Sequence, residues 1–190
     1  MDVLALIISV LSLLVAGVGT FLANRRAKEA VDESRKASAD ARKAALDARW
    51  FAVQEAVQRL IGFDPTAEPV GDRLANLRIT SIALVDQLDD WDGIDSWLEA
   101  ERTLGATIGR QVMEAAKPGD TVDVRVENLD PLMSWAHALS SNLRHFRSIG
   151  HDAAALAKLH ANAEELVMDI HARHRWDLPP WANPRIQPLE

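Results

Sequence analysis

The 190-residue chain contains no cysteine and no tyrosine. The absence of cysteine excludes a disulfide, a thiolate zinc site, an iron–sulfur cluster and a cysteine nucleophile. It also leaves cysteine usage silent about redox compartment. Two local absences matter more. Between Val3 and Ala23 there is no charged residue, and between Thr20 and Ile61 there is neither glycine nor proline. Positive charge is in short supply as well: 21 Lys and Arg stand against 28 Asp and Glu, a net charge of -7. That balance argues against nucleic acid as a partner held by a basic surface. What is present, 48% hydrophobic and 26% charged residues, is the composition of a chain with a packed core.

The charge-free run VLALIISVLSLLVAGVGTFLA reads as a transmembrane helix over 3–23. At about 1.5 Å per residue it spans roughly 31 Å, the thickness of a hydrocarbon core. A cleaved signal peptide places positive charge before its apolar segment, whereas here Arg25, Arg26 and Lys28 follow it. Lys and Arg beside a span stay on the cytoplasmic side. The expected topology is a single pass through the cell membrane, N-terminus outside and residues 24–190 in the cytoplasm, with the lipid bilayer as first partner.

Residues 24–61 continue as a juxtamembrane rod helix of good helix formers. Lys28/Asp32, Asp32/Lys36, Lys36/Asp40 and Lys43/Asp47 add i,i+4 pairs along it. One face is a seam over 27–48: Ala27, Ala30, Ser34, Ala37, Ala41, Ala44 and Ala48 alternate steps of three and four, a coiled-coil heptad pattern. The register runs back through Ala23, Thr20 and Ala16 to Ser9. Small residues let helix backbones approach closely, in lipid and in a narrow coiled coil. The seam is therefore the candidate self-association site, for a homodimer or for another helix. From Trp50 the stripe broadens to Trp50, Val53, Val57, Leu60 and Ile61, a docking end (50–61) for the domain that follows.

A connector at 62–71 leads to an all-α bundle over 72–176, four to five helices counting the rod's docking end. Helices are expected over about 72–91, 96–116, 130–150 and 152–175. Ser96 and Glu99 form a capping box, and Asp130–Pro131 and Asp152 open the last two helices. Between them, TVDVRVE alternates Val122, Val124 and Val126 with charge, which predicts a short extended segment near 121–127. Its pairing, across the bundle or with a second chain, stays open. The tail at 177–190 is rich in proline; Trp176 and Trp181 are expected to fold back onto the bundle.

No cofactor or metal is implied. Residues 64–99 hold nine acids against Arg73 and Arg78, and so carry a net charge of -7 by themselves. Asp90, Asp92 and Glu101 sit at the first, third and twelfth positions of a calcium loop, but Ile94 and Asp95 occupy the fifth and sixth, where an oxygen ligand and glycine belong. His171 and His174 lack the acid that a di-metal Glu-x-x-His set needs. In the segment RHFRSIGH, Arg144 and His151 resemble the Arg/His pair of HEPN-type ribonucleases, which are helical bundles. That resemblance implies His151 as acid and base and Arg144 on the scissile phosphate. Gly150 falls between them, and no other catalytic motif is present. Two functions follow: a membrane-anchored interaction or scaffold protein with an unidentified protein partner, or a membrane-tethered HEPN-like ribonuclease.

Overall fold

A computed structural model describes residues 2–61, 70–179 and 181, with the side chains of 2–23 outside the description. Among the described residues the fold is all-α, five helices and no strand: α1 (Asp2–Gln58), α2 (Gly71–Val85), α3 (Ile94–Ala115), α4 (Val122–Ile149) and α5 (Ala153–His174). The chain divides into two compact units, Met1–Ala45 and Leu46–Glu190. The expected transmembrane helix at 3–23 gains no support here. Among the described residues no helix is long and apolar enough to cross a membrane, and the apolar side chains of that run lie outside them. Most of the connector at 62–71 and most of the tail at 177–190 also lie outside the described residues.

Within the first unit, every described residue from Asn24 to Ala45 is exposed, the six seam positions Ala27 to Ala44 included. Arg25 pairs with Glu29 at 3.0 Å along the helix.

The second unit is a bundle built on α3, which packs against α2, α4 and α5. Trp50, Val53 and Val57 of α1 and Leu60 just beyond its end are buried in the same core, as the broadened stripe predicts, with Ile61 partly buried against it and Ala56 buried beside them. Phe51, beside them, is 63% exposed. Two polar contacts fasten this end of α1 to α4: Gln58 Nε2 donates to Ser140 Oγ at 3.1 Å, and Arg147 meets Asp47 at 2.9 Å. The expected inward residues of α3 and α4 are buried: Leu98, Leu104, Ile108 and Val112, then Leu132, Trp135, Leu139, Leu143 and Phe146. Two glycines, a turn apart on α3, bring neighbours close. A Cβ at Gly105 would overlap the Trp135 indole, and one at Gly109 would lie 3.0 Å from Val70 Cγ1.

Three sequence expectations are corrected. The extended segment at 121–127 is the first two turns of α4, which begins nine residues before Pro131. Thr121 caps it, accepting from the Val124 amide, and Asp123 sits favourably in the first turn. A lone strand has no partner for its amides, whereas a helix satisfies its own. The three valines are exposed, so their alternation reports no buried face. Exposed Pro131 is accommodated inside α4, its missing N–H leaving one carbonyl to solvent.

α2 stops at Val85 rather than Trp91. Asp86, Asp89, Asp90 and Asp92 would crowd a helix C-terminus, where negative charge is unfavourable. The chain instead passes through tight turns, Leu88 N to Val85 O at 2.8 Å and Trp91 N to Leu88 O at 2.9 Å. α3 begins at Ile94, ahead of the expected capping box. Gly93 takes a positive φ of 85°, which lets Ile94 enter the core at 2% exposure. Ser96 then lies inside the helix, and Glu99 pairs with Arg102.

Candidate functional site

The expected site residues fall in three places. The seam residues Ala27, Ala30, Ser34, Ala37, Ala41, Ala44 and Ala48 are all exposed on α1. The seam's membrane-side continuation from Ala23 to Ser9 lies among side chains outside the description.

Arg144 and His151 engage separate partners. Arg144 turns back along α4, its Nε donating to the Ser140 carbonyl at 3.4 Å. His151, beyond Gly150, donates from Nε2 to the Asp92 carbonyl at 2.9 Å and packs on Trp91, ring centres 5.7 Å apart. No contact joins the two side chains among the described residues. His151 holds the acidic turn in place: Trp91 lies 5.8 Å from Trp50 and 6.5 Å from Phe146, and Phe146 lies 5.1 Å from Trp97.

The acidic turn borders an open cavity of about 460 Å³ lined by Asp86, Asp89, Asp90, Asp92 and Asp95 with Trp91. Glu101, which completed the calcium-loop spacing, is not among them. Its carboxylate is buried at 7% exposure and accepts two indole N–H groups, Trp97 Nε1 on Oε1 at 3.0 Å and Trp135 Nε1 on Oε2 at 2.8 Å. Burial raises its pKa above the usual carboxylate value, and the two indole bonds oppose that rise. Among the described residues no group of three or more His, Asp or Glu could hold a metal ion. His171 and His174 both pack on Trp176, with ring centres 5.5 and 4.7 Å away.

Glu101 is the buried polar residue that sequence reasoning missed, having weighed it only in the calcium-loop spacing that was set aside. The signal was available: it falls between Trp97/Leu98 and Leu104/Gly105 on the apolar stripe of α3. An acid there, with an indole four residues before it, marks an internal hydrogen bond rather than a loop ligand. Its second donor, Trp135, comes from α4 and follows only from the tertiary fold. Comparison with protein-family models, with curated proteins and with solved structures finds no match to this chain.

Proposed function

We propose that this chain is a membrane-anchored helical interaction protein that self-associates along α1 and presents a helical domain to a protein partner. The reading rests on one observation above the rest: seven small side chains from Ala27 to Ala48 share a helix face and are all exposed. The same register leads next to Phe51, 63% exposed. Small side chains lower the barrier to close helix approach and leave the energetics to length and confinement. At about 25 cal/mol per Å², each alanine contributes a fraction of a kcal/mol. A second copy held in the same bilayer is at high effective concentration, which multiplies so weak a seam into a stable pair.

The bilayer is supplied by the charge-free run Val3–Ala23, with Arg25, Arg26 and Lys28 holding residues 24–190 on the cytoplasmic side. The test is extraction. The full chain is expected to stay with membranes through an alkaline carbonate wash, and replacement of Leu11 and Leu14 by Arg is expected to release it. A parent chain that washes off overturns the anchor.

A further inference from the structure

Beyond α5, residues 176–179 form a strap that touches both α3 and α5. α5 ends in a paired reversal. The Arg175 amide donates to the Ala172 carbonyl at 3.3 Å, and the Trp176 amide donates to the His171 carbonyl at 3.0 Å. The strap is then fixed on both helices. The Arg110 guanidinium of α3 lies 3.9 Å from the centre of the Trp176 ring, and His174 of α5 stacks on the same ring, centres 4.7 Å apart. His171 Nδ1 donates to the Asp177 carbonyl, which can only accept, and Pro179 is buried.

Three features set this strap apart from the rest of the fold. Its hinge is Arg175, at φ 55°, the one non-glycine residue at positive φ among the described residues; Gly93, Gly119 and Gly150 hold the others. A side chain in that conformation crowds its own backbone, so closing the strap stores strain at the hinge. The strap also seats loosely. An open cavity of about 230 Å³ is bordered by Pro179 and by Thr103, Ala106 and Thr107 of α3, where a packed interior leaves no such gap. Finally, Leu178 is 51% exposed and Trp181 45% exposed, apolar side chains that the closed strap leaves uncovered.

We propose that the strap exchanges between two copies of this chain, the strap of each docking on α3 and α5 of the other. A groove that accepts a strap from its own chain accepts the identical strap from a second copy through the same contacts. The hinge decides between the two. Opened, Arg175 takes an ordinary negative φ and its strain is released, so exchange keeps the contacts and removes a cost. A crossing of two straps about a two-fold axis also gives Leu178 and Trp181 the apolar cover they lack in one copy. This contact is separate from the seam on α1 and does not depend on the membrane anchor.

The chain lacks cysteine, so crosslinking reads the exchange directly. Full-length Ala106→Cys and Leu178→Cys chains with different tags are co-expressed and treated with a short bismaleimide. Both positions are exposed, one on the wall of the groove and one on the strap. A heterodimer band carrying both tags is expected. Arg175→Gly in both chains adopts positive φ without strain and is expected to lower that band by about fivefold or more. Arg175→Val, worse than arginine in that conformation, is expected to raise it. Arg175 is exposed, so both hinge variants leave the core intact. A chain carrying both cysteines and Arg175→Gly is expected to crosslink within itself, which shows that the pair is in reach. An internal crosslink there with no heterodimer band from any hinge overturns the proposal. So does a heterodimer band of equal strength from all three hinges, which is what pairing along α1 alone would give. A failed seam leaves the dependence on the hinge unchanged.

Discussion

The indole of Trp135 on α4 occupies the space that a side chain at Gly105 of α3 would fill, and from there donates to the buried Glu101 carboxylate. Close packing and the internal hydrogen bond thus depend on one missing methyl group. Gly105→Ala is expected to destabilise the bundle by about 1–3 kcal/mol, the range for overpacking, despite the better helix propensity of alanine. Gly71→Ala, with no atom within 4 Å of the new methyl, is expected to be neutral or slightly stabilising. Urea unfolding of the two variants measures the contrast.

Glu101 gives stability a defined pH dependence. Its folded pKa is raised above the ordinary 4.5, so the folded state holds the proton in a window where the unfolded chain has released it. Stability from this group is therefore present in full below about pH 4.5 and is lost as pH rises through the folded value, at up to about 1.4 kcal/mol per pH unit. Glu101→Gln cannot titrate. The stability of the parent relative to this variant is expected to fall with rising pH across that window, as read from urea midpoints at successive pH values.

Adjacent residues of α1 separate burial from exposure. Trp50 is 3% exposed and packs at a tilt against Trp91, whereas Phe51 is 63% exposed. Trp50→Ala is expected to cost about 3–5 kcal/mol. Phe51→Ala is expected to change folding stability by no more than about 0.5 kcal/mol. Equal losses at both positions would contradict the docking of this end of α1.

The helical start of α4 is tested at its cap. Thr121→Ala is expected to lose about 1 kcal/mol, and Thr121→Asp to retain it. Val122→Ala with Val126→Ala is expected to be neutral or stabilising, because exposed alanine favours helix over valine. An extended segment would respond in the opposite direction.

The bundle was legible wherever one helical face is apolar over several turns. Leu98, Leu104, Ile108 and Val112 define α3, and Leu132 to Phe146 define most of α4, by spacing alone. The docking end of α1 was legible through the change from alanine to Trp50, Val53 and Val57. What failed was local and had local causes. Val122, Val124 and Val126 mimic a strand because alternation over a few residues cannot be told from an exposed helix edge. Asp130–Pro131 mimics a helix start because Pro131 sits on the exposed side of a helix already formed. Of the candidate sites, the seam is a property of sequence spacing and needed no tertiary information. The burial of Pro179 was not legible, because it depends on the reversal of the chain at Arg175, whose φ is 55°.

The central claim is that the Ala27–Ala48 face pairs with a copy of itself, and the missing cysteines make one measurement decisive. Ala41→Cys is introduced into the full chain, oxidised mildly in intact membranes, and run on a non-reducing gel beside Lys43→Cys, which lies off the seam. The account predicts a band of doubled mass for Ala41→Cys that is absent for Lys43→Cys. A monomeric band for Ala41→Cys, or equal dimer from both positions, would contradict it.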